Sequence, residues 1–387
     1  MVIEGRKVLV VGAGIGGLAA ALALRARGAD VTVLEQAPEI AEVGAGLQIS
    51  PNGMAVLRAL GVGDALAARS VRANAVVLRD YARLGDVLRL SLPDDPDKPY
   101  LFVHRADLID VLAAAVRQSG VQVRLLQQVE RIEDGEQPVV HMRSGAQARA
   151  DLVIGADGLH SVLRPKLNGV AAPFFTGQVA WRAIVPNRWN LPAEARVYMG
   201  PGRHIVSYPL RDKSLVNLVA VEERSSWIAE SWSHRGDPDE MRKTFGDFRG
   251  PARDLLNAVE TVHTWGLFRH PVAGVWHGQR CVLLGDAAHP TLPFLAQGAN
   301  MALEDAFVLA RCLSEAEDVQ NGLAGYQAAR DDRVTKVIAA ANGNAWKYHL
   351  RAPLRGIAHR ILGIAGRVAP TRMLSQFDWI YGHDVTV

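Results

Sequence analysis

The sequence predicts an α/β fold. A Rossmann-like domain on a buried parallel sheet is joined to a second domain on a largely antiparallel sheet, and helices close the chain. Three features of the 387 residues predict it. The chain opens with a strand, a glycine turn, a helix and a second strand within about thirty residues. From about 175 to 270 short strands follow one another with no long amphipathic helix. Then a buried strand runs into another glycine-rich turn and helix at "CVLLGDAAHPTLPFLAQGANMALEDAFVLARCL", far from the N-terminus.

In chain order, "KVLVV" (7–11) has the continuous apolar run of a strand buried on both faces. "GAGIGG" turns into the helix "LAAALALRARG", which ends at Gly28, and "ADVTVLEQ" is the next strand. "HRADLIDVLAAAVRQSG" (104–120) is an amphipathic helix, and "VQVRLLQQVERIED" and "QPVVHMRSG" read as strands. "ARADLVIGADGLHSVLRPKL" holds another buried strand, ending at Gly155-Ala156-Asp157-Gly158. "GQVAWRAIVP", "EARVYMGPGRHIVSYPLR" and "SLVNLVAVEE" supply the antiparallel sheet, which the short strands of 71–96 join. "PDDPDKP" (93–99) is a solvated turn, and 323–370 is mostly helical. The first domain is therefore expected to be discontinuous, over 1–70, 97–174 and 271–340. The second takes 71–96 and 175–270, and 341–387 forms a C-terminal helical segment.

Composition narrows the function. A chain of this length with 49% hydrophobic residues buries a large core in about two domains. The net charge of +3 comes from interspersed acids and bases, without the basic tract that nucleic acid requires. Cys281 and Cys312 lie far apart in apolar runs, as two reduced thiols would, and no metal-ligand spacing is present. No run approaches the length of a membrane span or a signal segment, so a cytoplasmic protein is expected.

Gly12-x-Gly14-x-x-Gly17 follows a strand and opens a helix. Gly12 permits the tight turn, Gly14 lets a pyrophosphate approach the backbone, and Gly17 lets helix and strand pack closely. Glu35 ends the next strand, where a carboxylate accepts hydrogen bonds from ribose hydroxyls and repels a 2′-phosphate. The ligand is thus an adenosine diphosphate carrier, NAD or FAD. The late turn favours FAD, whose ribityl chain and ring reach beyond the first turn. Asp286 at a strand end can hold ribityl hydroxyls, and the helix start at Gly298, Ala299 and Asn300 can offer N–H groups to the ring's pyrimidine edge.

These motifs resemble the single-component FAD-dependent aromatic hydroxylases, the para-hydroxybenzoate, salicylate and 3-hydroxybenzoate hydroxylase family of flavoprotein monooxygenases. The matching fingerprints are the glycine turn with Glu35, Asp157-Gly158 in "GADGLHSVLR", and Gly285-Asp286 in "LLGDAAHP", across about residues 5 to 340. The resemblance implies a glutathione-reductase-type FAD domain and a β-sheet substrate domain. It assigns Arg105 to the pyrophosphate or ribityl, Asp157 and Gly158 to FAD and NAD(P)H, and Asp286 to the ribityl chain. Pro293 would lie over the flavin beside the substrate. "VGAGLQISPNG" (43–53), which contains Gly46, resembles the loop that touches the flavin and moves with it. Ala296 departs from the pattern by standing where some members have glycine, a variant closer to the salicylate and 3-hydroxybenzoate branch.

The implied reaction uses NADH or NADPH to reduce FAD. Dioxygen adds at flavin C4a as a hydroperoxide, and an oxygen atom passes to an electron-rich ring. Deprotonating a phenol activates that ring, so a base is wanted. His204 and Tyr208 in "GRHIVSYPLR" stand four apart on a strand and share a face, and the branch carries a His and a Tyr at this spacing near the ring. Gln297 is a candidate to hydrogen-bond substrate or peroxide or to brace its turn, and Arg182 can pair with a carboxylate, although a structural role is the stronger expectation for it. His289 is expected to be structural, and Trp181 and Tyr198 to belong to the core. The expected partners are a small aromatic, O2 and NAD(P)H, with a homodimer through the C-terminal helices. A halogenase reading lacks its WxWxIP motif, since only "WRAIVP" is present. Hydroxylation of a polyprenyl or other lipid-tailed phenol, and a flavin oxidase or dehydrogenase without oxygen insertion, are the alternatives.

Overall fold

The computed structural model describes residues 2–40, 45–226 and 234–387, with the backbone alone at 344–346. Lys7–Val11, rich in β-branched valine, is the centre of a five-stranded parallel sheet. Its neighbours are Asp30–Leu34 and Leu152–Gly155, with Gln122–Arg124 and Cys281–Leu283 at the edges. The strand before the first glycine turn and the strand before the late turn therefore lie one strand apart, and both turns open at the same end of the sheet. Helix Ile15–Arg25 packs on this sheet through an alanine- and leucine-rich buried face, and helix Gly298–Glu315 packs against that helix. Helix Arg105–Gln118 adds Leu108, Ile109, Leu112 and Val116 to the same core.

The second sheet has eight strands in the order Arg235–Gly236, Val262–Arg269, Phe174–Pro186, Leu215–Glu223, Arg203–Leu210, Glu194–Gly200, Ala75–Asp80, Asp86–Ser91. All its pairings are antiparallel except Ala75–Asp80 with Glu194–Gly200, so the segment from 71–96 enters parallel to its partner. Val71–Arg72 pairs elsewhere, in a small sheet with Leu101–His104 and Gly46–Ile49. Side chains alternate across the large sheet. Ile205, Leu218 and Trp181 face a core with Phe245, Phe248 and Leu255 from the helices Pro238–Thr244 and Pro251–Asn257. His204, Val206, Tyr208, Val219 and Val221 face the other way, toward the parallel-sheet domain.

The expected boundary at 340 falls inside one continuous helix, Val319–Asn344, so the C-terminal segment grows out of the first domain without a break. Helix Leu354–Val368 lies on Asp86–Ser91, with Gly366 close enough that a Cβ would stand 2.3 Å from Leu88. Its outer face leaves Leu354, Ile357, Ile361, Ile364 and Val368 exposed. Among the described residues no helix is long and apolar enough to cross a membrane.

Candidate active site

A cavity of about 630 Å³ runs between the two sheets, from the first glycine turn to the C-terminal helices. Gly14 and Gly16 line one end, and Gly298 and Ala299 line its middle. Arg105 and Asp286 also reach it, and the substrate-sheet face closes the far side. Two helix starts thus aim their unpaired N–H groups into one cleft, as an anionic ligand requires.

The residues fit FAD. A Cβ built on Gly14 meets nothing within 4 Å, so the turn keeps an open cradle at the point where a pyrophosphate must approach. Gly12 holds φ +102°, and a Cβ there would stand 2.5 Å from the Ala156 carbonyl oxygen. A Cβ at Gly17 would stand 2.0 Å from the Gly12 carbonyl oxygen. Ala13 N–H and Ala37 N–H donate to the two oxygens of Glu35, at 2.8 and 2.9 Å. The carboxylate so clasps the turn while keeping lone pairs for ribose hydroxyls. Asp286 is exposed to the cleft, which its side chain lines. Surrounding protein raises its pKa, and the nearby His289 and Arg105 charges work against that rise. Gly158 takes φ +71° and lines the cleft, whereas Asp157 turns back to accept a hydrogen bond from Val162 N–H at 2.8 Å.

The late turn is built from below. Pro293 begins a short 3-10 turn that ends at Ala296, whose φ of +54° is left-handed. This is the position where glycine was the expected residue, and the backbone explains the preference. Gln297 does not face substrate. It is buried, its Nε2 donates to Ser50 Oγ at 3.0 Å, and its Oε1 accepts from Asn52 Nδ2 at 3.0 Å. The Asn300 side chain likewise turns inward, accepting from Ser50 N–H and donating to the Gln48 and Ala296 carbonyls. These two amides lock the helix start, and only the backbone at 298–300 is left for a ligand.

A buried ionic network, unforeseen in the sequence, lies beneath. Glu304 accepts from Asn52 at 2.7 Å and pairs with Arg330 and Arg333, each at 2.7 Å. Asp305 pairs with Arg330 at 2.7 Å and His289 at 2.5 Å, and accepts from Gly285 N–H at 3.1 Å. Burial alone would raise the Asp305 carboxyl, but His289 and Arg330 outweigh it and hold the pKa at about 2. His289 is therefore structural, as expected.

On the substrate side, His204, Tyr208, Arg182 and Pro293 line the same cavity, with Phe294 and Tyr348 around them. Gly46 lines it too, and a Cβ there would come within 2.7 Å of Tyr208 and Asn217. Val43 and Gly44 of the same loop lie outside the described residues. Tyr208 stacks on Phe102 with ring centroids 4.9 Å apart, and burial raises its hydroxyl pKa. Arg182 lies over Trp265, 4.8 Å from the ring centroid. Trp181 and Tyr198 belong to the core behind the sheet.

His204 has partners that sequence reasoning did not anticipate. Its Nδ1 is 2.8 Å from His349 Nε2, and His349 Nδ1 is 3.0 Å from Glu223 Oε1. Both rings are buried, and burial pushes both pKa values down, that of His204 well below 6.5. The His204 ring therefore stays neutral at pH 7, in the protonation state a base needs.

A parallel-sheet dinucleotide domain facing an aromatic-lined sheet across a cleft defines a flavoenzyme that brings a small ring to its flavin. A family model described as an FAD binding domain matches residues 6–341. The chain is 38% identical to a 3-amino-4-hydroxybenzoate 2-monooxygenase of Streptomyces cremeus, over 89% of this chain and 88% of that one. It is 35% identical to a 3-hydroxybenzoate 6-hydroxylase of Polaromonas naphthalenivorans, over 98% and 96%. With Klebsiella pneumoniae HpxO, solved with FAD and uric acid, the TM-score is 0.85 at 26% identity, covering 97% of each chain. The chain belongs to the FAD-dependent aromatic hydroxylase family, and it is a flavoprotein aromatic monooxygenase with FAD as its cofactor.

Proposed function

We propose that the protein hydroxylates a small phenolic or heteroaromatic acid of the hydroxybenzoate type, with NAD(P)H and O2 as co-substrates. The observation that carries this reading is the joint placement of neutral His204 and cationic Arg182 on one wall of the cavity that the flavin-binding turns open into. Bound FAD, once reduced by the nicotinamide, supplies activated oxygen. His204 Nε2, the ring nitrogen not engaged by His349, takes the ring hydroxyl's proton, which raises electron density on the ring. Arg182 holds the carboxylate, and Pro293 and Phe294 press the ring toward the flavin side. The surrounding apolar and aromatic wall excludes water.

The named substrates of the relatives above, amino-hydroxybenzoate and hydroxybenzoate, support this class. A 6-hydroxynicotinate 3-monooxygenase of Pseudomonas fluorescens, 36% identical over 88% of this chain, supports a heteroaromatic acid as well. A lipid-tailed phenol is the second reading, favoured by the apolar extension along Leu78, Leu88, Leu90 and Leu362. We also infer a homodimer through helix Leu354–Val368, supported by its exposed apolar stripe and tested by sedimentation. The two unpaired thiols suit a reducing cytoplasm.

The test is nicotinamide oxidation by the FAD-loaded protein with hydroxybenzoates, hydroxypyridine carboxylates and alkylated phenols, while oxygen and peroxide are followed together. Stimulation by an aromatic acid with little peroxide is expected. Stimulation by alkylated phenols alone transfers the reading to the second substrate class.

A further inference from the structure

We propose that His204, His349 and Glu223 form a proton relay that takes the substrate's ring-hydroxyl proton from the buried face of His204 to solvent at Glu223 and later returns it. This rests on the hydroxylase reading above.

The geometry fixes the direction. Glu223 is the outer end, with its side chain 44% exposed beside Arg351 at 3.5 Å, while His349 and His204 are buried. A carboxylate can only accept, so the neutral His349 ring must place its proton on Nδ1, toward Glu223 Oε1. Its Nε2 is then bare and accepts from His204 Nδ1–H. That leaves the lone pair of His204 on Nε2, the nitrogen available to a ring hydroxyl. One exposed carboxylate thus sets the tautomers of two buried rings.

The backbone around the relay is built for close approach. Gly202 N–H donates to the His349 carbonyl at 3.1 Å, and Glu223 N–H donates to the Gly202 carbonyl at 2.9 Å. Gly202 sits at φ +69°, and a Cβ there would stand 3.2 Å from Glu223 Oε2 and 3.6 Å from Arg351. The charged and titratable groups around the relay come from three elements. Arg203 and Tyr208 flank His204 on its strand, Glu222 precedes Glu223, and Lys347, Tyr348 and Arg351 surround His349. Of these, Arg203 pairs away with Asp247 and Glu222 with Arg224.

The transfer balances. The substrate O–H bond breaks as His204 Nε2–H forms, His204 Nδ1–H passes to His349 Nε2, and His349 Nδ1–H passes to Glu223, which releases the proton to water. When the oxygenated ring regains aromaticity, its oxygen takes a proton back along the same atoms in reverse, and both tautomers reset.

Two measurements test the relay. The first is ¹⁵N NMR of histidine-labelled, FAD-loaded protein, with His204 and His349 assigned by His204→Gln and His349→Gln. Both rings are expected as neutral Nδ1–H tautomers at pH 7, and Glu223→Ala is expected to abolish that preference at His349. An Nε2–H tautomer at His204 in the unsubstituted protein overturns the relay, whether or not a substrate has been found. The second is hydroxylation by His349→Ala, expected to slow about tenfold to a hundredfold with an unchanged KM and to recover with added imidazole. A folded His349→Ala that hydroxylates at the parental rate also overturns it. Absence of hydroxylation by the unsubstituted protein, with the expected tautomers present, counts against the hydroxylase reading alone.

Discussion

At the residue scale, His204 and Ala296 show two ways in which local surroundings override ordinary preference. Burial and the neighbouring His349 depress the His204 pKa, so the ring proposed as the base stays neutral just below pH 6.5. Hydroxylation should therefore persist below that pH and fall once His204 protonates or the Glu223 carboxylate is lost, which a kcat–pH profile measures. The same shift has a stability consequence. The unfolded chain binds the His204 proton below pH 6.5 and the folded chain does not, so stability falls with pH below that value. His204→Gln removes the proposed base and should cut hydroxylation by about 10²-fold or more while leaving aromatic binding in place. Ala296 holds a left-handed φ that costs an L-residue roughly 1–2 kcal/mol. Ala296→Gly should raise unfolding stability by about 0.5–1 kcal/mol after glycine's unfolded-state entropy is counted, as denaturant titration would show. The sequence pointed to both, to His204 through its spacing from Tyr208 and to Ala296 as a departure from the glycine of some relatives. It did not reveal His349, which stands alone in "WKYHLR" with no period or motif. Only the fold brings it to a residue 145 positions earlier.

At the element scale, both strand–glycine turn–helix units were legible because their logic is local. An apolar strand, a glycine-rich turn and a helix start occupy neighbouring residues, and Gly12 and Gly17 have steric reasons close by, while Gly14 leaves the cradle open. The packing between elements was not legible in the same way. Gln297 and Asn300 sit at a helix start that reads as ligand-facing, yet their amides are taken by Ser50, Asn52 and Gln48, about 250 residues away. The acids of "LEDAF" gave a faint signal, since two adjacent carboxylates in an apolar helix need buried partners. Nothing local indicated Arg330 and Arg333. Removing one member of such a network strands its partners, so Asp305→Ala should cost about 3–5 kcal/mol of stability. Because the Asp305 pKa is depressed to about 2, its stabilisation is complete above the ordinary carboxyl pKa of 3.8 and is lost as pH falls from there toward 2. Acid unfolding of the parent protein should show that loss, and Asp305→Asn should flatten it.

At the scale of the whole molecule, the two sheets gain their meaning from the cleft between them, where the glycine turns meet the aromatic-lined sheet face. Ligand binding to the folded state alone stabilises it, by about 2.7 kcal/mol at a hundred times Kd. FAD should therefore raise the Tm of the parent protein. Gly14→Val offers a clean contrast, because a Cβ at this position meets no protein atom but occupies the open cradle. It should leave the Tm of the FAD-free protein nearly unchanged and abolish the rise on adding FAD. Oxygen transfer to an aromatic ring is the chemistry this cleft serves. The most direct measurement is turnover of the stimulating aromatic acid under ¹⁸O₂ in unlabelled water, with mass spectrometry of the product. One ¹⁸O atom in each product molecule, matched to one nicotinamide oxidised, is the predicted result. An aromatic returned unchanged, with labelled peroxide equal to the nicotinamide consumed, would contradict the account.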